Sequence, residues 1–148
     1  MNTLEEILKA WETDSQIDPN KLDKSSVDTS LLHAKYLQFL SLSKIRLNNS
    51  YMSQKLLLKD KWLYYNGKMS KEELQSKGWN PDPFNGLKIL KGEMDYYYNS
   101  DPELQESDSR IQYLKTMVET LQEIVDNIKW RHQTIGNIIK WKMFEAGI

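Results

Sequence analysis

The residues best suited to chemistry lie in one run. Between Lys55 and Lys68, Lys55, Lys59, Lys61 and Lys68 are interleaved with Trp62, Tyr64 and Tyr65, and Asp60 is the one acid among them. Ammonium groups neutralise phosphates, and flat rings offer a stacking face to any unpaired base. The pattern suits a single-stranded nucleic acid. It also suits a solvated helix end whose rings enter a core. Trp62 falls at helical spacing from Leu58 and Tyr65, which assigns it to the core and leaves Tyr64 as the stacking ring. The candidate DNA-binding residues are Lys44, Lys55, Lys59, Lys61, Tyr64, Tyr65 and Lys68. Reversing Lys59 and Lys61 near an exposed helix end should change stability by no more than about ±0.5 kcal/mol. Lys129, Arg131 and Lys140 are the next basic group to consider.

Other chemistry finds little support. The chain has no cysteine, hence no disulfide, thiolate metal site or Cys nucleophile. His33 and His132 lack metal-ligand spacing partners, and no phosphate-cradling glycine loop or nucleophile elbow occurs. We expect no enzyme, no cofactor and no metal. No window is apolar enough to span a membrane, and Met1–Glu6 does not read as a secretory signal. The net charge of −1 conceals blocks: −4 over residues 1–34, +5 over 35–61, +2 over 62–92, −7 over 93–126 and +3 over 129–148. A basic block beside acidic ones fits a polyanion-binding protein with protein partners, and equally fits blocks that pair with each other.

The elements that must position these residues are helical, and 148 residues make one domain by length. Thr3 and Glu6 form a capping box for a helix to about Asp14. Ser25 and Ser26 are N-cap candidates for the next helix. No Gly or Pro lies between Pro19 and Gly67, and Tyr36, Leu40, Ser43, Leu47, Tyr51, Leu58, Trp62 and Tyr65 form one stripe. A helix so long predicts an elongated all-α hairpin or bundle. Asn66-Gly67 ends it. Residues 67–100 form a linker, with Ser70 capping one helical turn and a short helix ending near Tyr96–Tyr98. Asp101-Pro102 starts a last long helix carrying heptads. Ile111, Val118, Val125, His132 and Ile139 hold position a; Leu114, Leu121, Ile128, Ile135 and Lys142 hold position d. Ile111, Leu114, Val118, Leu121, Val125, Ile128, Ile135 and Ile139 are therefore the candidate oligomerisation residues, and truncation after about Asp108 should give monomers. Gly136 within this helix hints at close helix approach.

Three stretches resemble the UvsY family of phage recombination mediators. They are Ile17-Asp18 through Lys21-Leu22, the run Lys59-Asp60-Lys61-Trp62-Leu63-Tyr64-Tyr65-Asn66-Gly67, and Ile128-Lys129-Trp130-Arg131 with Phe144-Glu145-Ala146-Gly147. The run from Lys59 to Gly67 is similar to the family's Lys-x-Arg-Leu-x-Tyr-Tyr-x-Gly, with Lys61 at its arginine. The resemblance implies an all-helical, non-catalytic homo-oligomer, a ring of roughly six or seven subunits. It implies binding to single-stranded DNA and to the single-strand-binding protein that coats it, and loading of a RecA-like recombinase. It maps the basic motif onto Lys59 and Lys61, and implies the host-cell cytoplasm. The competing reading is a coiled-coil adaptor that binds only protein.

Overall fold

Thr3 accepts from the Glu6 N–H, and the Glu6 carboxylate accepts from the Thr3 N–H, so the capping box opens helix α1 (Leu4–Asp14). The computed structural model describes residues 2–148. The fold is all-α: α1, α2 (Leu22–Tyr65), α3 (Lys71–Lys77), a 3₁₀ turn (Lys91–Glu93), α4 (Met94–Ser100), α5 (Pro102–Lys129) and α6 (Arg131–Glu145). The described residues contain no strand. They gather into two compact units, the chain up to Ile45 with Leu114–Ile148, and Arg46–Tyr113.

In the first unit, Ile7 of α1, Tyr36 and Leu40 of α2, and Met117, Leu121, Ile124, Val125 and Ile128 of α5 form one apolar core. Val118 packs against it half-buried. Tyr36 meets Trp11 and Phe39 edge-on and donates its hydroxyl to Asp14 Oδ2 at 2.8 Å. Leu114, Leu121, Val125, Ile128 and Ile135 are buried within this one chain, so they are not a face left free for another subunit. The heptad stripe has found its partner in α1 and α2. A stretch of apolar positions cannot itself say whether an intramolecular or an intermolecular helix will cover it.

Two further expectations are corrected. α2 begins at Leu22 rather than after Ser25 or Ser26. Asp18 accepts from the Asn20 and Lys21 N–H groups, which turns the chain straight into helix, and Ser25 is buried with its N–H donating to the Lys21 carbonyl. The last heptads also lose register. Trp130 lies between α5 and α6 with φ −91° and ψ −3°, and its carbonyl accepts from both Gln133 and Thr134. Arg131 is thereby turned inward, only 6% exposed, and donates to the main-chain carbonyls of Ser15 at 3.2 Å and Gln16 at 3.3 Å. It caps the carboxyl end of α1, where a cation also meets the negative pole of the helix. His132 and Ile139, both placed inward by the heptad, are exposed instead. A β-carbon on Gly136 would meet nothing within 4 Å, so no helix of this chain approaches it closely.

Candidate nucleic-acid interface

The carboxyl end of α2 is built by a glycine turn. Gly67 takes φ +68°, and the Gly67 and Lys68 N–H groups donate back to the Tyr64 and Leu63 carbonyls at 3.1 and 2.9 Å. This reversal satisfies the last carbonyls of the helix and folds Lys68 back beside its final turns. The Lys68 ammonium rests 4.6 Å from the centroid of the Trp62 ring. The Trp62 carbonyl accepts from both the main-chain and side-chain N–H groups of Asn66.

The inner side of the same turns is an aromatic and ionic cluster within the second unit. Lys61 is 3% exposed, against an expectation of a free phosphate contact. Its ammonium lies 3.0 Å from Asp101 Oδ2, 3.5 Å from Glu103 Oε1 and 3.9 Å from the centre of the Trp79 ring. Asp101 caps α5, accepting from the Glu103 and Leu104 N–H groups, and takes a further bond from the Tyr65 hydroxyl at 2.6 Å. Burial alone would raise the Asp101 carboxyl. The Tyr65 hydroxyl, the Lys61 ammonium and the Leu104 N–H outweigh it and hold the group below the usual carboxylate range. The Tyr65 phenol is pushed up by burial and by its bond to Asp101. Tyr64 is 8% exposed and donates to the Asn80 carbonyl at 2.7 Å, with its ring against Tyr65 and Trp79. Tyr65 is 9% exposed and packs on Phe84, Tyr97 and Tyr98.

Tyr64 and Tyr65 are therefore corrected from stacking candidates to core residues, and Lys61 to a structural cation. The assignment of Trp62 reverses too: it is 47% exposed. At about 100° per residue, Lys55, Lys59 and Trp62 fall within about 60° of arc on one helix face. Lys55, Lys59 and Lys68 are all exposed. The nearby acid Asp60 is held by Lys77 at 3.1 Å. The structure thus brings Lys55, Lys59 and Lys68 together around Trp62 in the second unit, while Lys44 is exposed in the first. Ile111 is buried in the second unit. The seven-residue step from Lys55 to Trp62 was the signal that could have put the tryptophan on the lysine face. It competed with the three- and four-residue steps to Leu58 and Tyr65.

The described residues contain no cluster of His, Cys, Asp and Glu fit to hold a metal, and no helix among them is long and apolar enough to cross a membrane. At the fallback basic group, Lys129 and Lys140 are exposed, whereas Arg131 is spent on α1.

Similarity to known proteins gives this geometry a context. Residues 10–148 match the family described as recombination, repair and ssDNA binding protein UvsY. No curated protein matches the chain. The crystal structure of the bacteriophage T4 recombination mediator protein UvsY is similar, with a TM-score of 0.80 and 25% identity over 99% of each chain. The same protein in another crystal form has a TM-score of 0.77 and 24% identity over 93% of this chain and 97% of that one. The motif at the end of α2, the helical order and the match over nearly the whole chain agree, and the chain belongs to the UvsY family of recombination, repair and single-stranded-DNA-binding proteins.

Proposed function

We propose that this chain is a recombination mediator that binds single-stranded DNA through Lys55, Lys59 and Lys68, with Lys44 as a further phosphate contact. It assembles as a homo-oligomeric ring and helps to load a RecA-like recombinase onto DNA coated by single-strand-binding protein. The observation that carries this reading is the exposed cationic face at the end of α2, in a chain of this family. A few lysines per subunit bind weakly at physiological salt. A ring repeats them around a circle, so one strand gains avidity without any tight pocket. Weak, salt-sensitive contacts also let the strand go, which a mediator requires.

The apolar end of α6 supports assembly. Ile139, Trp141, Met143, Phe144 and Ile148 are all exposed, and Trp141 stacks on Phe144. The same observation favours a second reading, an adaptor that binds protein alone. Titration of a labelled oligonucleotide at several salt concentrations separates them. The mediator gives a steep fall of log affinity with log salt, and Lys55→Glu with Lys59→Glu flattens the slope by about 0.7 for each phosphate no longer neutralised. A double variant with the wild-type slope would remove these lysines from the DNA path. Absence of any salt-dependent binding would leave the adaptor.

A further inference from the structure

We propose that Trp62 is the base-stacking residue of this surface and that Lys68 is its placeholder in the free protein. This rests on the single-stranded-DNA reading above and assigns the contact that lysines alone cannot make. Three observations carry it. Trp62 keeps about half of its surface in solvent, although Tyr64, Tyr65 and Trp79 close by are drawn into the aromatic cluster. Its position is set by the helix end, because Asn66 donates twice to its carbonyl and Gly67 returns the chain beside it. The Lys68 ammonium lies 4.6 Å from the ring centroid.

An exposed indole covered by an ammonium is a cation–π pair, which is worth little in water. An unpaired base competes for the same face and brings its own phosphates. As the base stacks, Lys68 leaves the ring and meets the flanking phosphate. The cation thus stays in the site, and its partner changes from a ring quadrupole to a full negative charge. Lys55 and Lys59, on the same face of α2, track the phosphates on the other side. A duplex hides its base faces, so the device selects single strands. It offers no donor or acceptor set for reading base identity, so it is tolerant of sequence.

The test uses the full chain and a labelled oligothymidylate, beside an abasic strand of equal length. Stacking predicts that Trp62→Ala weakens oligothymidylate binding by roughly 5- to 100-fold, with the circular dichroism unchanged. Trp62→Phe, which keeps a flat face, recovers most of that loss. The abasic strand is bound by wild type no better than oligothymidylate is bound by Trp62→Ala. Tryptophan emission falls on binding in wild type and not in Trp62→Phe, although Trp11, Trp79, Trp130 and Trp141 remain. Lys68→Gln keeps the quenching and lowers the salt slope by about 0.7. Equal affinity for wild type and both Trp62 variants, or equal affinity for the abasic strand, overturns the stacking assignment and leaves the single-strand reading standing. Loss of a protein partner with unchanged DNA binding in Trp62→Ala overturns it in favour of a protein contact. If wild type binds neither strand, the DNA reading itself fails.

Discussion

Lys61 and Trp62 are neighbours in sequence, about 100° apart around α2, and they have exchanged the roles that their types suggest. The lysine is buried because three partners meet it: Asp101, Glu103 and the Trp79 ring. Removing one member of a buried ion pair leaves the other charged and unpaired, at a cost of about 3–5 kcal/mol. The expectation of a near-neutral change therefore holds for exposed Lys59 but not for Lys61. Lys61→Ala should lose about 3 kcal/mol at neutral pH in denaturant unfolding. The pH dependence has a definite sign. The Asp101 carboxyl is held low in the folded chain, so its contribution is present above the unfolded value near 4 and is lost as pH falls through the folded one. The deficit of Lys61→Ala should accordingly shrink below about pH 4, where a protonated Asp101 no longer needs the cation. An equal deficit at pH 7 and pH 3, or none at either, would refute the buried pair as the source.

At the scale of elements, local signals set the helix ends. Thr3, Ser70, Asp101 and Gly67 each stop or start a helix by satisfying N–H or carbonyl groups three to five residues away. The break at Trp130 has no such origin. It lets Arg131 reach the carbonyl end of α1, whose Ser15 is 116 residues earlier. Gly136, one turn later, has no neighbour that requires it. Gly136→Ala should raise the stability of the subunit by up to about 1 kcal/mol, because alanine loses less backbone entropy in a helix. Chemical denaturation at low protein concentration measures this. A destabilised subunit would mean that the glycine serves the fold after all, whereas a stabilised subunit with weakened assembly would place it at an intermolecular helix contact.

For the whole molecule, the position of the proposed assembly surface follows from what the core has already used. Truncation after about Asp108 would not release intact monomers, because it removes Met117, Leu121, Ile124, Val125 and Ile128 from the core shared with Ile7, Tyr36 and Leu40. A gentler change is available at α6, where Phe144 is 73% exposed and Trp141 lies stacked on it. Trp141→Ser with Phe144→Ser should keep the helical circular dichroism and lower the mass found by sedimentation. Weaker DNA binding should accompany the loss of mass, since avidity in the proposed ring comes from its repeated subunits. An unchanged mass would exclude this end of α6 from the subunit contact.

Most of the chain's helices were legible from sequence alone, but the start of α2 at Leu22 and the division of the last long helix at Trp130 were not. Periodicity, the long stretch without Gly or Pro, and capping residues act over one helical turn, so they can be read locally. The basic motif and the order of elements likewise pointed to the family. What the tertiary structure decided is which side of each helix faces inward. Lys61, Trp62, Tyr64 and Tyr65 are all amphipathic, with an apolar body and a polar tip, and their types permit either burial or exposure. The choice went to Lys61, Tyr64 and Tyr65 because Asp101 and Asn80, far along the chain, supply their polar tips with partners. Trp62 was left outside with Lys68. The heptad stripe was likewise visible as apolar, yet only the arrival of α1 and α2 made it a core instead of a subunit interface. Periodicity measures how apolar a face is; the partner that covers it is set by contacts between residues widely separated in sequence.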